Sequence, residues 1–205
     1  MKIHNKLYED RINEIHYKYI NIISPFVMQL EVLDGEYPIE ILNEIRAVFS
    51  HLSKCNLSDE DEKIDRNLSK ADSHIKRAIL DCYKYLCFAY DDKYSQFDKN
   101  YKNVDLSEID NGEFLPLLCM KRKTALDKLL QAKKLELITS DENILYDGFE
   151  NAYNAYSDVY NLINNSYVKI ERLKRKAKIR SLKTLIGFWI GIAIGIIGII
   201  IAIVK

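Results

Sequence analysis

Residues 184–204 read TLIGFWIGIAIGIIGIIIAIV, a run with no charged side chain and a single hydroxyl. At about 1.5 Å per helical residue it is roughly 30 Å long, the thickness of the hydrocarbon core of a bilayer. A lone segment in lipid must satisfy every backbone amide internally, so such a run can only be a helix. A core helix of a soluble protein is rarely this long and apolar on every face. The expectation is a tail anchor: one C-terminal membrane span with only Lys205 beyond it.

The charges around the run set its direction. Eight basic residues (Lys169, Arg172, Lys174, Arg175, Lys176, Lys178, Arg180, Lys183) precede it, against one acid, Glu171. By the positive-inside rule this collar places the preceding domain in the cytoplasm. The abundance of Ile, Lys, Asn and Tyr fits an AT-rich bacterial genome, so the expected location is the inner (cell) membrane. The N-terminal MKIHNKLYEDRINEIH has no apolar core behind its first charges, and no secretory signal is expected. Residues 1–168 hold 21 basic and 29 acidic side chains, a net charge of −8. An acidic domain of this kind is a poor general binder of nucleic acid, and any such site has to be local. Cys55, Cys82, Cys87 and Cys119 form no CxxC pair and have no His at ligand spacing, so all four read as small buried apolar residues and no metal or cofactor is expected.

Helical periodicity runs through almost the whole chain, and no stretch alternates as a strand does. A first helix, Ile3 to Leu33, should be kinked by Pro25 and closed by the Asp34-Gly35 turn. A second opens at Pro38 and runs to about Lys54, with Ile41, Leu42, Ile45, Val48, Phe49 and Leu52 as its buried stripe. Ser58 caps a long third helix whose inward row is Ile64, Leu68, Ala71, Ile75, Ile79, Cys82, Leu86 and Ala89, fading near Phe97. Residues 98–112 read as a loop with one short turn at Leu106–Ile109, and a fourth helix covers about Leu115 to Ile138. Ser140-Asp141 caps a fifth, in which Gly148 is the one weak point and no Pro intervenes before the C-terminus. The fold class is therefore all-α: a cytosolic helical bundle (residues 1–140), a helical stalk with a basic collar (141–183) and a transmembrane helix (184–204).

Two periodic rows bear on assembly. Phe149, Ala152, Tyr156, Val159, Ile163, Ser166, Ile170, Leu173 and Ala177 alternate spacings of three and four, a heptad-like seam. The same count continues through Arg180 and Thr184 to Gly187 and Gly191, so stalk and anchor read as one helix. Within the anchor, Gly187, Gly191, Gly195 and Gly198 share a narrow arc, with Ile and Phe elsewhere. Small residues on one face let helices approach closely, which predicts a homo-oligomer; glycine merely common in membrane helices would not form a single stripe.

Two polar constellations carry candidate chemistry. Arg46 and His51 in EILNEIRAVFSHL form an R-x4-H pair, which resembles the R-x4–6-H motif of the HEPN superfamily of helical ribonucleases. The residue after the Arg, usually polar in that family, is Ala47 here, and on a straight helix the two side chains point about 140° apart. The alternative is a structural hydrogen bond between His51 and Glu44 or Glu40. In SKADSHIKRAILDCYK, Lys70, His74, Arg77, Asp81 and Lys84 form a polar stripe beside the buried row. It reads either as a solvated face laced by Arg77–Asp81 and Asp81–Lys84 pairs or as a basic groove for a phosphate-bearing ligand, which Arg binds bidentately. Antiparallel packing of the second and third helices would bring Arg46 or His51 to this stripe. No Gly-rich phosphate loop, nucleophile elbow, carboxylate pair or metal-ligand cluster is present, which argues against an ordinary hydrolase or kinase.

The small helical domain with its EIRAVFSHL and HIKRAILDCYK segments, the stalk and the single C-terminal span resemble the membrane effectors of bacterial anti-phage systems, most closely the transmembrane effector of Hailong-type systems. That resemblance implies an oligomeric channel whose cytosolic domain senses a nucleotide or oligonucleotide made by a partner nucleotidyltransferase. Three functions compete on sequence: a ligand-controlled membrane effector, a tail-anchored non-enzymatic scaffold, and a membrane-tethered HEPN-type ribonuclease.

Overall fold

The computed structural model describes the backbone of residues 6–204 and the side-chain surroundings of residues 6–197. The expected helix start at Ile3 lies outside the described residues, and so do the surroundings of Gly198. Every regular element is helical: α1 (Lys6–Lys18), a π-turn (Tyr19–Ile23), α2 (Ser24–Asp34), α3 (Ile39–Asn56), α4 (Asp61–Tyr101), a short 3-10 segment (Leu106–Gly112), α5 (Phe114–Ile138) and α6 (Glu142–Val204). The chain divides into two compact units. One holds the residues through Ser95 with Met120–Tyr160; the other holds Gln96–Cys119 with the residues from Asn161 on.

In the first unit the helices alternate in direction. Arg11 pairs with Asp65 and Lys18 with Asp72, so α1 runs parallel to α4. The α3–α4 contacts Glu44–His74 and His51–Asn67 run in opposite order, as do the α4–α5 pairs Lys84–Glu136 and Arg122–Asp91. Lys76–Glu142 and the Tyr90–Tyr160 ring contact then set α6 parallel to α4.

The expected break at Pro25 takes the form of the π-turn just before it. Ser24 N–H donates to the Tyr19 carbonyl, five residues back. A regular turn would set the Asn21 carbonyl against the Pro25 ring, and the wider turn relieves that clash. Gly35 ends α2 at φ 75, its N–H on the Glu31 carbonyl, a left-handed cap that costs a side-chain-bearing residue strain.

Pro38 is the cap residue of α3 rather than its first helical residue. The buried row of α3 is Ile41, Ile45, Val48, Leu52 and Cys55. Leu42 and Phe49, expected in that row, are 51% and 48% exposed, with Phe49 set edge-on to Tyr19. A helix packed along one side buries a row at three- and four-residue spacing, and the flanking positions stay half in solvent. The Ser58 hydroxyl accepts the Glu60 N–H at the start of α4, and the whole expected inward row from Ile64 to Ala89 is buried. α4 ends one turn beyond Phe97, at Tyr101.

The buried row of α5 is Phe114, Leu118, Ala125, Leu129 and Ala132. Cys119 sits one position off that row and is exposed, unlike Cys55, Cys82 and Cys87, which are buried as expected. Asp141 caps α6 by accepting the Asn143 N–H at 3.0 Å. Gly148 lies against α5: a Cβ there would meet Leu135 Cδ1 at 3.1 Å and Ala132 Cβ at 3.5 Å. The residue that looks weak by helix propensity is thus explained by packing.

The predicted seam holds. Phe149, Ala152, Tyr156, Val159, Ser166, Ile170 and Leu173 are buried, with Ile163 and Ala177 half-buried. Each large apolar member contributes about 1.5–3 kcal/mol relative to exposure. From Lys178 to Ile197 every residue of α6 is exposed. The Glu142–Ile197 stretch carries a segment long and apolar enough to cross a membrane.

Candidate functional site

The two polar constellations meet in the first unit. Because α3 and α4 are antiparallel, His51 on α3 comes beside His74 on α4, their rings stacked 5.3 Å apart at 18°. His51 Nδ1–H donates to Asn67 Oδ1 at 2.9 Å, and His74 Nδ1–H donates to Glu44 Oε2 at 2.6 Å. The anticipated bond between His51 and Glu44 or Glu40 is therefore not formed: Glu44 takes His74, and His51 takes the Asn67 amide instead. With Nδ1 of both rings occupied, a neutral imidazole leaves Nε2 as an acceptor.

The remaining stripe residues divide into paired and open cations. Lys84 lies 2.5 Å from Glu136 and 3.6 Å from Asp81, so the expected Asp81–Lys84 pair is present. Burial raises the Asp81 carboxyl above its ordinary value, with Lys84 opposing. Arg77 does not reach Asp81. It bonds to Ser73 and approaches Glu44 at 3.9 Å. Lys70 and Arg46 are exposed and have no acid partner among the described residues, and no described contact joins Arg46 to His51. Glu40, the other carboxylate considered for His51, instead takes the Tyr85 hydroxyl, which pushes that phenol up to about 12.

The Glu44 carboxylate orients the His74 imidazole, the pairing that also orients a general base. No cluster of three or more metal-ligating side chains occurs among the described residues. The exposed Lys70 and the half-exposed Arg77 lie on the same α4 stripe as His74.

A second polar feature of this unit is not visible in the spacing of residues. Arg122 of α5 is 15% exposed, ion-paired with Asp91 and set over the rings of Tyr94 and Tyr156 at 4.7 and 5.7 Å. Its Nε and Nη1 are buried without hydrogen-bond partners, and the two ring faces supply the compensating attraction. Nearby, Tyr153 and Tyr90 share Gln29, and burial drives the Tyr90 phenol up to about 12.

In the second unit the basic collar is partly neutralised. Lys169 pairs with Asp110, and the two oxygens of Glu108 go one each to Lys176 at 3.3 Å and Arg180 at 3.6 Å. These acids lie on the 3-10 segment, where Asp110, Asn111 and Gly112 all have positive φ (48, 56 and 92). Acids and bases together line a cleft of about 430 Å³ with Asn111 and Arg172. Sequence reading registered the collar and the short turn separately and missed their pairing. The available signal was Glu108 and Asp110 in the only loop between α4 and α5.

Along the apolar end of α6, an added Cβ at Gly187, Gly191 or Gly195 would meet no atom within 4 Å. The face is open, and Gly198 lies beyond the residues whose surroundings are described. Comparison of the chain with protein-family models, with curated proteins and with solved structures finds no match in any of the three.

Proposed function

We propose that this chain is a single-pass membrane protein that self-associates through the glycine face of α6 and acts as a ligand-controlled membrane effector, of the kind used in bacterial antiviral defence. The observation that carries the reading is α6 itself. Sixty-three residues, Glu142–Val204, form one uninterrupted helix from a packed bundle to an apolar end. Both units contain part of α6, so a ligand acting on the first unit would act on the same helix that carries the anchor. The apolar end lies in the inner membrane, the collar holds the bundle in the cytoplasm, and neighbouring anchors meet at Gly187, Gly191, Gly195 and Gly198. The ligand site is the α3–α4 surface of His51, His74, Lys70, Arg77 and Arg46, with Lys84 at its paired edge. The ligand class is a nucleotide or short oligonucleotide, supplied by a partner nucleotidyltransferase, and assembled anchors conduct ions or breach the bilayer.

The test is expression in bacteria with membrane potential as readout, together with leakage from vesicles holding the purified chain. Depolarisation that needs Gly191 and Gly195, and that a bound nucleotide turns on or off, is the expected result. An intact potential and tight vesicles under every nucleotide tried would refute the effector reading. A non-enzymatic tail-anchored scaffold is then the better account. It is favoured by the pairing of His74 with Glu44 and of Lys84 with Glu136, which satisfies half the stripe within the chain.

A further inference from the structure

The collar already holds an anion. Glu108 presents one oxygen to Lys176 and the other to Arg180, at 3.3 and 3.6 Å, spanning cations four residues apart on α6. A lipid phosphodiester can make the same two contacts with its two anionic oxygens. It carries one negative charge, as the carboxylate does, and in an anionic membrane the density of such groups and the negative surface potential favour it over Glu108. All three side chains stay accessible: Lys176 is 52%, Arg180 72% and Glu108 36% exposed.

The position of these cations along α6 selects the competing anion. Counting from Thr184 at about 1.5 Å per residue, Arg180 lies roughly 6 Å and Lys176 roughly 12 Å outside the apolar segment, while Lys169 lies about 22 Å out. The headgroup layer is about 5–8 Å deep on each side of the hydrocarbon core. Arg180 therefore sits at lipid-phosphate depth, and Lys176 reaches it by bending its flexible stem towards the membrane. Lys169 is out of range, so its bond to Asp110 persists whatever the lipid. The cluster also has one charge to spare: with Arg172, four cations of the cleft wall and its margin face Glu108, Asp110 and, at Arg180, the carboxylate of Asp105.

We propose that Lys176 and Arg180 form a binding site for the phosphate of anionic phospholipid, and that Glu108 is its intramolecular competitor. In a zwitterionic membrane Glu108 holds the cations and the 3-10 segment is clasped to α6. In an anionic membrane the lipid phosphates take both cations, Glu108 is released, and the segment stays tethered through Asp110 alone. This inference rests on α6 spanning the bilayer.

The test uses the full chain floated with vesicles of phosphatidylcholine, or of phosphatidylcholine mixed with phosphatidylglycerol, and reads amide hydrogen exchange in residues 106–113. Exchange several-fold faster in the anionic vesicles is expected, with the difference shrinking as salt is added. Glu108→Gln should exchange fast in both lipids, and the double variant Lys176→Gln, Arg180→Gln should show no lipid dependence. A chain that floats with both vesicles but exchanges equally in them overturns the clasp alone, as does a lipid response that survives in the double variant. A chain that floats with neither overturns the membrane span, and the clasp with it.

Discussion

The two halves of α6 follow the same repeat in opposite surroundings. Between Phe149 and Leu173 the helix buries a residue every three or four positions against its neighbours. Between Lys178 and Ile197 it buries none, although Leu185, Ile186, Phe188, Trp189 and Ile190 are among its most apolar residues, each more than half exposed (53%, 57%, 62%, 61% and 54%). Water would tax that surface at about 25 cal/mol per Å². The upper half is shaped by what the chain packs against itself, while the lower half has the length and apolarity of a possible membrane span. An apolar stripe in the upper half therefore measures tertiary packing, whereas in the lower half only the glycine arc stands out from a uniformly apolar surface.

The sharpest way to break this contrast is a matched pair of truncations. Phe149→Ala should lower the unfolding free energy of the full chain in detergent micelles by about 3–5 kcal/mol. Ile190→Ala should change it by less than about 0.5 kcal/mol. Equal losses in a denaturant titration would mean that both halves pack alike. The next largest effect belongs to Arg122. Its removal strands Asp91, and because Asp91 is itself 31% exposed the cost should be about 2–3 kcal/mol, below that of a fully buried pair.

Alkali should discriminate the halves in turn. Burial raises the phenols of Tyr83, Tyr90 and Tyr156 from 10.0 to about 12 in the folded chain. Folding therefore keeps them neutral. Their contribution is complete below the unfolded value of about 10 and is lost as pH climbs through about 12. At about pH 11 each should have forfeited on the order of 1 kcal/mol. A late fraction of tyrosinate absorbance that appears only as the helical signal of the bundle is lost is the expected record, and complete ionisation of all 14 tyrosines near 10 without unfolding would refute it. Smallest in stability is Gly191→Leu. It should leave the unfolding midpoint within about 0.5 kcal/mol while reducing self-association in a crosslinking assay, because packing along the glycine arc is lost.

Local regularities were the legible part of this fold. The Phe149–Leu173 seam, the Asp34-Gly35 stop and the Ser58 and Asp141 caps depend on neighbours a few residues away, and each can be read along the chain. Leu42, Phe49 and Cys119 were harder to place, because hydrophobicity does not report how wide a strip of helix the neighbours cover. The site was legible only in its members. That His51 and His74 stack, that Glu44 chooses His74, and that Glu108 bridges Lys176 and Arg180 all depend on register between distant segments. No spacing within one helix specifies that register.

The π-turn at Tyr19–Ile23 gives the first helical arm one residue more than a regular helix of the same path would use. The chain therefore stores a unit of slack directly upstream of Pro25. Most helices punish a single-residue deletion, since everything beyond it rotates by about 100°. Here the loss of one residue from the wide turn would return the arm to ordinary winding, keeping the faces of Ile12, Ile15, Val27 and Leu30 in place. Its cost would fall on one spot, where the proline ring meets the carbonyl that the extra residue now holds away. Length at this point is a tolerance of the architecture, and proline is what keeps that tolerance in use.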